Sequence, residues 1–456
     1  MSVPEAVQAT SDHTDRIPLS VQQEFLCLWD KGDAMGPFGP RFHVVDGWRV
    51  AGEVDLDALR AALDDVVVRH EALRTVVVRD QEPRFQKIMP PSSPSLEVRD
   101  LPSDDPDARD LRVEEFLNEL AAEDLNIREL PLLRAILGRF DEQDSVLGLI
   151  AHHTAVDAWS MQQLRRDLAA CYAARKAGQL PELPPATQYQ EYASWQQEHS
   201  QSASVRAARV YWGQKLDEAG ALALPTDRLR SAEPVFSTGW YRFLLGRELR
   251  SATSELATAM RCSPFMILLA AFNVYVNRMT GATDVVALTF TPGREQARFH
   301  ETIGSFFNCL PIRTDISDCG TFRDVVAKTR ANCIEAYTHE IPLAQILQEA
   351  PELMAPVVVD GVAACVFQVI QTPHMNEREQ IGDLEYSAVR RKVLSQTIGS
   401  DIPDGTLLCL ELDSTGDLIG ELGYSRNLYD ESTAHKIVST YQGVLLDAVT
   451  TPDAPL

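Results

Sequence analysis

The chain has 456 residues, of which 45% are hydrophobic and 24% charged, proportions that are typical of soluble globular proteins and exclude a disordered or fibrous chain. The chain has 42 Lys and Arg residues and 66 Asp and Glu residues, which gives a net charge of −24. Its densest basic stretches, at 165–166 and 390–392, are too short to hold a phosphate backbone, so nucleic-acid binding is disfavoured. No apolar run reaches the roughly 18 residues of a membrane span, and the eight cysteines form no C-x-x-C pair, so we expect a reduced, cytoplasmic protein without a membrane partner.

The first part of the chain alternates between helical and extended patterns. Residues 1–16 show no periodicity, and we expect them to form a flexible arm. Apolar residues recur at helical spacing after Asp55, which is suited to cap that helix. The further predicted elements are a strand over Thr75–Val78, a helix over Ala108–Glu123, strands over Leu132–Phe140 and Ser145–His152, and a helix over Trp159–Lys176.

A change in composition marks a boundary near the middle of the chain. Gly178, Pro181, Pro184 and Pro185 fall within one short stretch, which indicates a linker. We therefore predict an N-terminal lobe over 17–180 and a C-terminal lobe over 181–456. The second lobe is predicted to contain helices at 189–199, 204–219, 248–279 (two), 322–337 and around 437–445, and strands at 240–245, 285–290, 310–314, 362–370, 407–412 and 418–423. Both halves mix helices and strands, so the predicted fold class is α/β.

The segment from Ile150 to Ser160 places two histidines and one aspartate where an apolar strand ends and a helix begins. Adjacent strand residues point to opposite faces, so only one of His152 and His153 can face a given cleft. A histidine near its unperturbed pKa of about 6.5 is largely neutral in a cell, and it can accept a proton from an amine or hydroxyl that attacks a carbonyl. Asp157 is suited to hold the turn or to pair with a cation.

Two other readings of this segment stay open. The histidines and Asp157 are possible metal ligands, although neighbouring strand histidines diverge and no further His/Cys cluster supplies the remaining ligands. Alternatively, both histidines are hydrogen-bonded core residues and Asp157 is a helix cap. The chain carries no P-loop, dinucleotide-binding, G-x-S-x-G or H-E-x-x-H motif, so those chemistries lose their usual support.

The pattern His152-His153-x-x-x-Asp157 resembles the H-H-x-x-x-D-G signature of the condensation domains of nonribosomal peptide synthetases. Six further segments resemble the other motifs of that family, in the family's order, across about residues 17–450. These segments are Leu19–Gln23 with Trp29, Arg69–Thr75, Tyr189–Trp195, Ile303–Asn308 with Arg313, His339–Leu343 and Tyr424–Tyr429.

The resemblance implies a fold and a set of roles. The fold is two chloramphenicol-acetyltransferase-like lobes arranged as a V-shaped pseudo-dimer, with a substrate tunnel between them. His153 is implied as the catalytic histidine and His152 as a structural one. Asp157 is implied to form an ion pair that shapes the loop, with Arg294 as its partner.

The residue after the aspartate departs from the family pattern. Family members carry glycine there, and its backbone N–H is thought to help accommodate the oxyanion. Ala158 keeps the N–H but loses access to positive φ, so we expect activity to survive only if the loop does not need that conformation. The resemblance also places Trp159, Ser160 and Asn308 along the substrate tunnel.

The function implied by the resemblance is that of a stand-alone condensation enzyme. It would join an (amino)acyl thioester, held on the phosphopantetheine arm of a carrier protein in trans, to a small-molecule hydroxyl or amine acceptor, forming an ester or amide in natural-product biosynthesis. We expect no cofactor or metal bound by the chain itself, and within the family we favour the free-standing enzymes of enediyne antibiotic pathways. Because carrier proteins are acidic, the docking surface is expected to be locally basic or apolar.

Three other functions are alternatives to a stand-alone condensation enzyme. The first is a soluble acyltransferase that uses coenzyme A thioesters with the same histidine chemistry. The second is a non-catalytic carrier-recruitment or binding module, which the presence of both motif histidines disfavours. The third, an epimerisation domain, is disfavoured because Trp159 precedes Ser160, as it does in condensing members.

Overall fold

A computed structural model describes residues 16–103, 105–231, 237–294, 296–370, 378–389, 393–402, 404–413 and 416–456. The arm predicted for residues 1–16, except Arg16, and the basic stretch at 390–392 lie outside the described residues. The described part of the chain forms eleven α-helices and seventeen β-strands, joined by turns and short 3-10 segments.

The first half of the chain contains six helices and seven strands. In order they are β1 (Ile17–Pro18), α1 (Val21–Leu28), β2 (His43–Ala51), α2 (Leu56–Arg69), β3 (Thr75–Val78), β4 (Phe85–Ile88), β5 (Ser95–Asp100), α3 (Pro106–Ala121), β6 (Leu133–Arg139), β7 (Asp144–His152), α4 (Ala158–Lys176), α5 (Tyr189–His199) and α6 (Ala203–Lys215).

The second half contains the remaining elements. In order they are β8 (Ala223–Pro225), β9 (Thr238–Leu244), α7 (Gly246–Ala259), α8 (Pro264–Thr280), β10 (Asp284–Thr291), β11 (Asn308–Asp315), α9 (Phe322–Thr338), α10 (Leu343–Glu349), β12 (Val362–Ile370), β13 (Glu379–Ile381), β14 (Leu384–Ala388), β15 (Gln396–Gly399), β16 (Thr406–Leu412), β17 (Leu418–Ser425) and α11 (Glu431–Thr450).

The predicted α/β class is confirmed by these elements. The predicted helix over Tyr189–His199 and the predicted strands over Thr75–Val78 and Val362–Ile370 have the predicted bounds. Asp55 caps α2, since its carboxylate accepts hydrogen bonds from two N–H groups of the first turn. The predicted helix over 204–219 is shorter than expected and ends at residue 215, because a tight turn follows it.

Two large sheets organise the chain. The first has six strands in the order β13-β14-β2-β7-β6-β5, and the second has eight, ordered β11-β10-β12-β16-β17-β9-β15 with β8 paired to β12. A small third sheet has the order β1-β4-β3. The helices α2 and α4 cover one face of the first sheet and α3 packs against the other, while α8 and α11 pack within the core of the second.

The hairpin formed by β13 and β14 connects the two halves. It follows β12 of the second sheet in the chain, yet β14 pairs with β2 of the first sheet, with Ala388 opposite Trp48. Residues 379–388 therefore belong to the first sheet in space. The division of the chain at residue 180 stays a prediction.

The length and apolarity of the described helices can be compared with those of a membrane span. Among the described residues, no single helix combines the length and apolarity needed to cross a bilayer. In this same part of the chain, one helix pair, α7 with α8, has the combined length and composition, and the two helices are bent by 105° at their junction.

Candidate active site

The end of β7 and the start of α4 carry the His-His segment. His152 is the last residue of β7 and pairs with His43 of β2, and His153 follows it outside the strand. A short turn then leads to Asp157, whose carboxylate caps α4 by accepting a hydrogen bond from the Ser160 N–H at 2.7 Å. The two histidines therefore lie where the inner strand β7 ends, beside the N-terminus of α4.

His152 is fully buried, and both of its ring nitrogens have partners. Its Nε2 donates to the carbonyl oxygen of Gly39 at 3.1 Å, and its Nδ1 accepts from the Thr154 hydroxyl at 2.8 Å. Burial lowers the pKa of His152 to about 3, so the ring is neutral in every physiological condition. This ring ties β7 to the loop before β2 and has no nitrogen left for a substrate.

In His153, by contrast, only one ring nitrogen has a hydrogen-bond partner within the described part of the chain. Its Nδ1 lies 2.8 Å from the carbonyl oxygen of Val156, which can only accept, so Nδ1 carries the proton and Nε2 carries the lone pair. Among the described residues, Nε2 has no hydrogen-bond partner. The ring stacks on Phe42 with centroids 4.9 Å apart and contacts Phe307 at 5.0 Å. Both phenylalanine rings hold the imidazole in one orientation.

The charge state of His153 follows from its surroundings. Burial is the largest influence and lowers its pKa, while the hydrogen bond to Val156 and the negative charge of Asp157 act in the opposite direction without cancelling it. The residue as a whole is only partly buried. The imidazole is therefore neutral near pH 7, and its Nε2 is free to accept a proton.

Asp157 and Arg294 form a buried, bidentate ion pair. Arg294 donates from Nη1 to Oδ2 at 2.6 Å and from Nη2 to Oδ1 at 3.0 Å, and the two side chains are 2% and 7% exposed. The carboxylate also accepts from the N–H groups of Ser160 and Phe306. Although burial raises the pKa of Asp157, the Arg294 charge and these hydrogen bonds bring it below its usual value. Asp157 is therefore ionised and its charge is satisfied by the protein.

The ion pair joins α4 to the loop between β10 and β11. Ser160 takes part as well, because its hydroxyl accepts from Arg294 at 2.8 Å and bonds both backbone groups of Gly304. The loop turns at Gly293, where φ is +62° and an added Cβ would clash with the carbonyl oxygen of Phe306. Only glycine fits this turn, which carries Arg294 to Asp157.

Ala158 is the first residue of α4 and is exposed. Among the described residues, positive φ outside glycine occurs at Glu218 and Arg261 alone, so Ala158 has the negative φ of a helix. Alanine is suited to that conformation. The structure thus requires no glycine here, and the Ala158 N–H remains one of the free donors of the helix N-terminus.

The remaining predicted tunnel residues have polar contacts within the protein. Trp159 donates from its indole nitrogen to the carbonyl oxygen of His300 at 2.8 Å. The amide of Asn308 donates to Glu340 at 3.2 Å and to the carbonyl oxygen of Ile341 at 3.0 Å. Burial raises the pKa of Glu340, while its hydrogen bonds with Thr291 and Asn308 act in the opposite direction. Asn308 therefore anchors the segment before α10, and among the described residues it forms no hydrogen bond to Asp157 or Arg294.

One cleft lies next to this site. It encloses about 270 Å³ of space, including open solvent, between α1, the start of β11 and the start of α10. Phe307 lines this cleft and also contacts the His153 ring. Phe307 therefore contacts both the cleft and the imidazole.

Sequence analysis missed the residues that orient His153. Phe307 lies inside a segment that was recognised by its pattern, but only the fold reveals that its ring contacts the imidazole. Phe42 directly precedes β2. The β-branched residues of β2 could have indicated that strand, but not that Phe42 contacts His153. The Val156 carbonyl carries no side-chain signal at all.

The described residues contain no group of three or more His, Cys, Asp or Glu side chains arranged to hold a metal ion. The chemistry that the site's own groups offer is proton acceptance at Nε2 of His153 beside free N–H donors of α4.

Comparison with known proteins gives consistent results. Two much longer curated proteins resemble nearly the whole of this chain. One of the linear gramicidin synthase proteins from Brevibacillus parabrevis is 32% identical over 438 residues, 95% of this chain and 8% of that protein. Chondramide synthase cmdD from Chondromyces crocatus is 32% identical over 448 residues, 97% of this chain and 11% of that protein. The chain thus spans about a tenth of the length of these relatives.

Solved structures agree with the sequence comparison. SgcC5 from Streptomyces globisporus has a TM-score of 0.93 and 46% identity, and the match covers 96% of this chain and 100% of that one. The X-domain from teicoplanin biosynthesis has a TM-score of 0.79 and 26% identity, covering 99% and 98%. Condensation-domain structures have two chloramphenicol-acetyltransferase-like lobes, and this chain has the same architecture.

The family model described as Condensation domain matches residues 43–456. Domains of this family form amide or ester bonds from substrates held on the phosphopantetheine arms of carrier proteins, and they need no cofactor of their own. On these matches, together with the His-His segment and its buried ion pair, the chain belongs to the condensation-domain family of nonribosomal peptide synthesis.

Proposed function

We propose that this chain is a stand-alone condensation enzyme that transfers an (amino)acyl group from a carrier-bound thioester to a hydroxyl or amine acceptor. The observation that carries the proposal is the His153 ring, which is neutral, fixed in one tautomer by Val156 and left with an open Nε2. Further support comes from the match that covers the whole SgcC5 chain.

In the proposed reaction, Nε2 of His153 accepts the proton of the acceptor hydroxyl or amine as its oxygen or nitrogen attacks the thioester carbon. The tetrahedral oxyanion forms beside the N-terminus of α4, where the Ala158 N–H is a free donor. Collapse of the intermediate breaks the carbon–sulfur bond, and the pantetheine thiolate takes the proton back from the imidazolium. Asp157 does not touch the reacting atoms in this scheme, because its oxygens are occupied by Arg294 and two backbone N–H groups.

The nature of the acceptor is part of the proposal. SgcC5 was solved in complex with (R)-(-)-1-(2-naphthyl)-1,2-ethanediol, an aromatic vicinal diol. At 46% identity, this favours an alcohol as the acceptor of our chain, and therefore an ester as its product. A cytoplasmic location and a role in an enediyne antibiotic pathway belong to the same proposal; the eight unpaired cysteines agree with the location.

A second candidate is a protein-binding module. The X-domain from teicoplanin biosynthesis was also solved in complex with OxyB, so a similar fold can serve to bind a protein partner. A coenzyme A-dependent acyltransferase is the third candidate, because the same histidine chemistry would serve it.

One experiment separates these candidates. The protein is given acyl groups on a carrier protein or on coenzyme A, each with 1-(2-naphthyl)-1,2-ethanediol or a matched amine, and products are identified by mass. We expect ester from the carrier-bound donor, and a roughly 10²- to 10⁴-fold lower turnover in His153→Ala with an unchanged circular dichroism spectrum.

The control is His199→Ala, which removes an exposed imidazole far along α5 and should leave turnover unchanged. His152→Ala should instead lower the yield of soluble protein, because it removes a fully buried ring with two hydrogen bonds. Wild-type turnover in His153→Ala would refute the role of that residue, and no product from any donor would favour the binding module.

A further inference from the structure

The ring of Phe42 lies directly against the imidazole of His153. The two ring planes are inclined by 21° and their centroids are 4.9 Å apart, which is a stacked arrangement. Phe307 contacts the same imidazole at a tilt of 59°, so its ring is not stacked on it. The π face of Phe42 therefore meets the plane of the imidazole.

The position of Phe42 is fixed by contacts with both motif histidines. Its carbonyl oxygen accepts a hydrogen bond from the His153 N–H at 2.9 Å, and its own N–H donates to the carbonyl oxygen of Gly39 at 3.2 Å. The same Gly39 oxygen accepts from Nε2 of His152 at 3.1 Å. The His152 ring also meets the Phe42 ring edge to face, with centroids 6.2 Å apart. His152 therefore supports the aromatic ring on which His153 stacks.

The other surroundings of Phe42 are apolar. The residue is 7% exposed. It belongs to a cluster of buried residues that also contains Leu19, Leu26, Cys27 and Phe38. Water therefore has little access to the Phe42 ring, and the attraction between a cation and an aromatic face is strongest where water is excluded.

His153 changes its charge during the proposed reaction. Nδ1 already carries a proton, which it donates to the Val156 carbonyl, so a proton accepted at Nε2 converts the ring into an imidazolium of charge +1. Transfer of this proton to the pantetheine thiolate returns the ring to its neutral form. Burial disfavours the charged form and lowers the pKa of His153. A neighbour that stabilises the imidazolium would therefore favour the reaction.

The titratable groups around the ring offer limited stabilisation of this charge. On the elements that surround His153 they are Asp157 and Arg294 at α4, His43 and His152 on β2 and β7, and Cys309 and Glu340 beside the start of β11. The carboxylate of Asp157 acts on His153, but Arg294 already neutralises it. Burial lowers the pKa of the other two histidines and raises that of the Cys309 thiol to about 12, so these groups are uncharged near pH 7. Burial also raises the pKa of Glu340, whose Oε1 accepts hydrogen bonds from β10 and β11.

We propose that Phe42 is a positioning residue for the base: the face of its ring stabilises the imidazolium form of His153 through a cation–π contact and holds Nε2 in one place. This inference rests on the proposed function, because it assumes that His153 accepts a proton in the reaction. It adds that a neighbouring apolar residue supplies part of the basicity of His153. Phe42 does not touch the reacting atoms in this scheme.

The experiment measures the pKa of His153 in the wild-type protein and in Phe42→Leu. The titration is followed by NMR at the Cε1–H group of histidine, and the His153 signal is assigned from its loss in His153→Gln. Leucine keeps an apolar side chain beside the imidazole but has no π face, so we expect the pKa to fall by roughly 0.5–1.5. If Phe42 acted by excluding water alone, its loss would admit water and the pKa would rise.

A second series of variants keeps the shape of the ring. Phe42 is replaced, by amber suppression, with mono-, di- and pentafluorophenylalanine. Fluorine withdraws electron density from the ring face and weakens its attraction for a cation. We expect the pKa of His153 to fall progressively along the series, and turnover to fall by roughly 3- to 30-fold at its end. A ring with a purely structural role would give the same pKa throughout.

Phe140→Leu is the matched control. Phe140 follows β6 at the opposite end of the β6–β7 hairpin from His152, and its ring lies near the guanidinium groups of Arg49 and Arg109. The substitution therefore removes an aromatic ring with cationic neighbours away from the site. It should leave both the pKa of His153 and turnover unchanged.

The outcomes separate this inference from the proposed function. An active enzyme in which the pKa of His153 is unchanged or raised in Phe42→Leu overturns the inference and leaves the proposed function standing. A protein that is inactive with every donor but shows the fall in pKa overturns the proposed function alone. Circular dichroism checks that each variant is folded. Should Phe42→Leu fail to fold, a constant pKa along the fluorinated series overturns the inference.

Discussion

Replacing Asp157 with asparagine is expected to lower the free energy of unfolding by about 3–5 kcal/mol, because it leaves the guanidinium of Arg294 buried without a counter-charge. Arg294 is 2% exposed, so water cannot replace the lost carboxylate. Asparagine has nearly the same shape and can still cap α4. The change thus tests the charge of the pair rather than its packing.

Related substitutions separate the contributions. Asp157→Ala also removes the helix cap, and we expect it to cost about 1 kcal/mol more than Asp157→Asn. Arg294→Gln leaves the carboxylate buried with only the backbone N–H groups of Ser160 and Phe306. A buried charge destabilises the fold most when its partner has been removed. The double variant Asp157→Asn/Arg294→Gln should therefore lose less free energy of unfolding than the two single variants together.

The assay is equilibrium unfolding in urea at pH 7.5, followed by circular dichroism. A loss of about 3–5 kcal/mol is a large part of the roughly 5–15 kcal/mol that typically stabilises a protein, so the transition should move to clearly lower urea. Asp157 also links stability to pH: its pKa is lowered in the folded state, so its contribution is full above the ordinary pKa of 3.8 and is lost as the pH falls through the folded value. A loss below about 1 kcal/mol in Asp157→Asn, or strictly additive losses in the double variant, would refute this reasoning.

Three further predictions follow from the site. Ala158→Gly should leave turnover unchanged and cost at most about 1 kcal/mol of stability, because position 158 is helical; a large gain in turnover would contradict this. Gly293→Ala should cost at least about 1–2 kcal/mol in urea unfolding, because φ is +62° and the new Cβ meets the Phe306 carbonyl; wild-type stability would show that the loop can relax. Burial lowers the pKa of His152 to about 3, so stability is full above pH 6.5 and should fall by about 1.4 kcal/mol per unit below it; unfolding midpoints that are constant between pH 7.5 and 5.5 would contradict this.

Much of the local structure could be predicted from the amino-acid sequence. The helical spacing after Asp55, the cap itself, the α5 helix and the strand that ends at His152 all appear in the structure near their predicted positions. Such features depend on the period of apolar residues and on caps within a few residues, which the sequence displays directly. The His-His spacing likewise placed the candidate site at the junction of a strand and a helix.

Assignment of different roles to the two histidines required the tertiary structure. Both are histidines in one strand-end segment, and strand alternation only indicates that they face different sides. The Gly39 carbonyl and Thr154 occupy both nitrogens of His152, whereas the Val156 carbonyl leaves Nε2 of His153 open. Backbone carbonyls look the same in every sequence, so such partners become visible only when the chain is folded.

The α/β class, most of the helices and strands, the family resemblance and the segment that carries the chemistry could all be read from the amino-acid sequence. Only the folded chain reveals that the β13–β14 hairpin joins the first sheet and that the rings of Phe42 and Phe307 contact His153. Helices, caps and strands depend on neighbours along the chain, whereas these contacts join residues that are far apart in sequence and are selected by packing of the whole core.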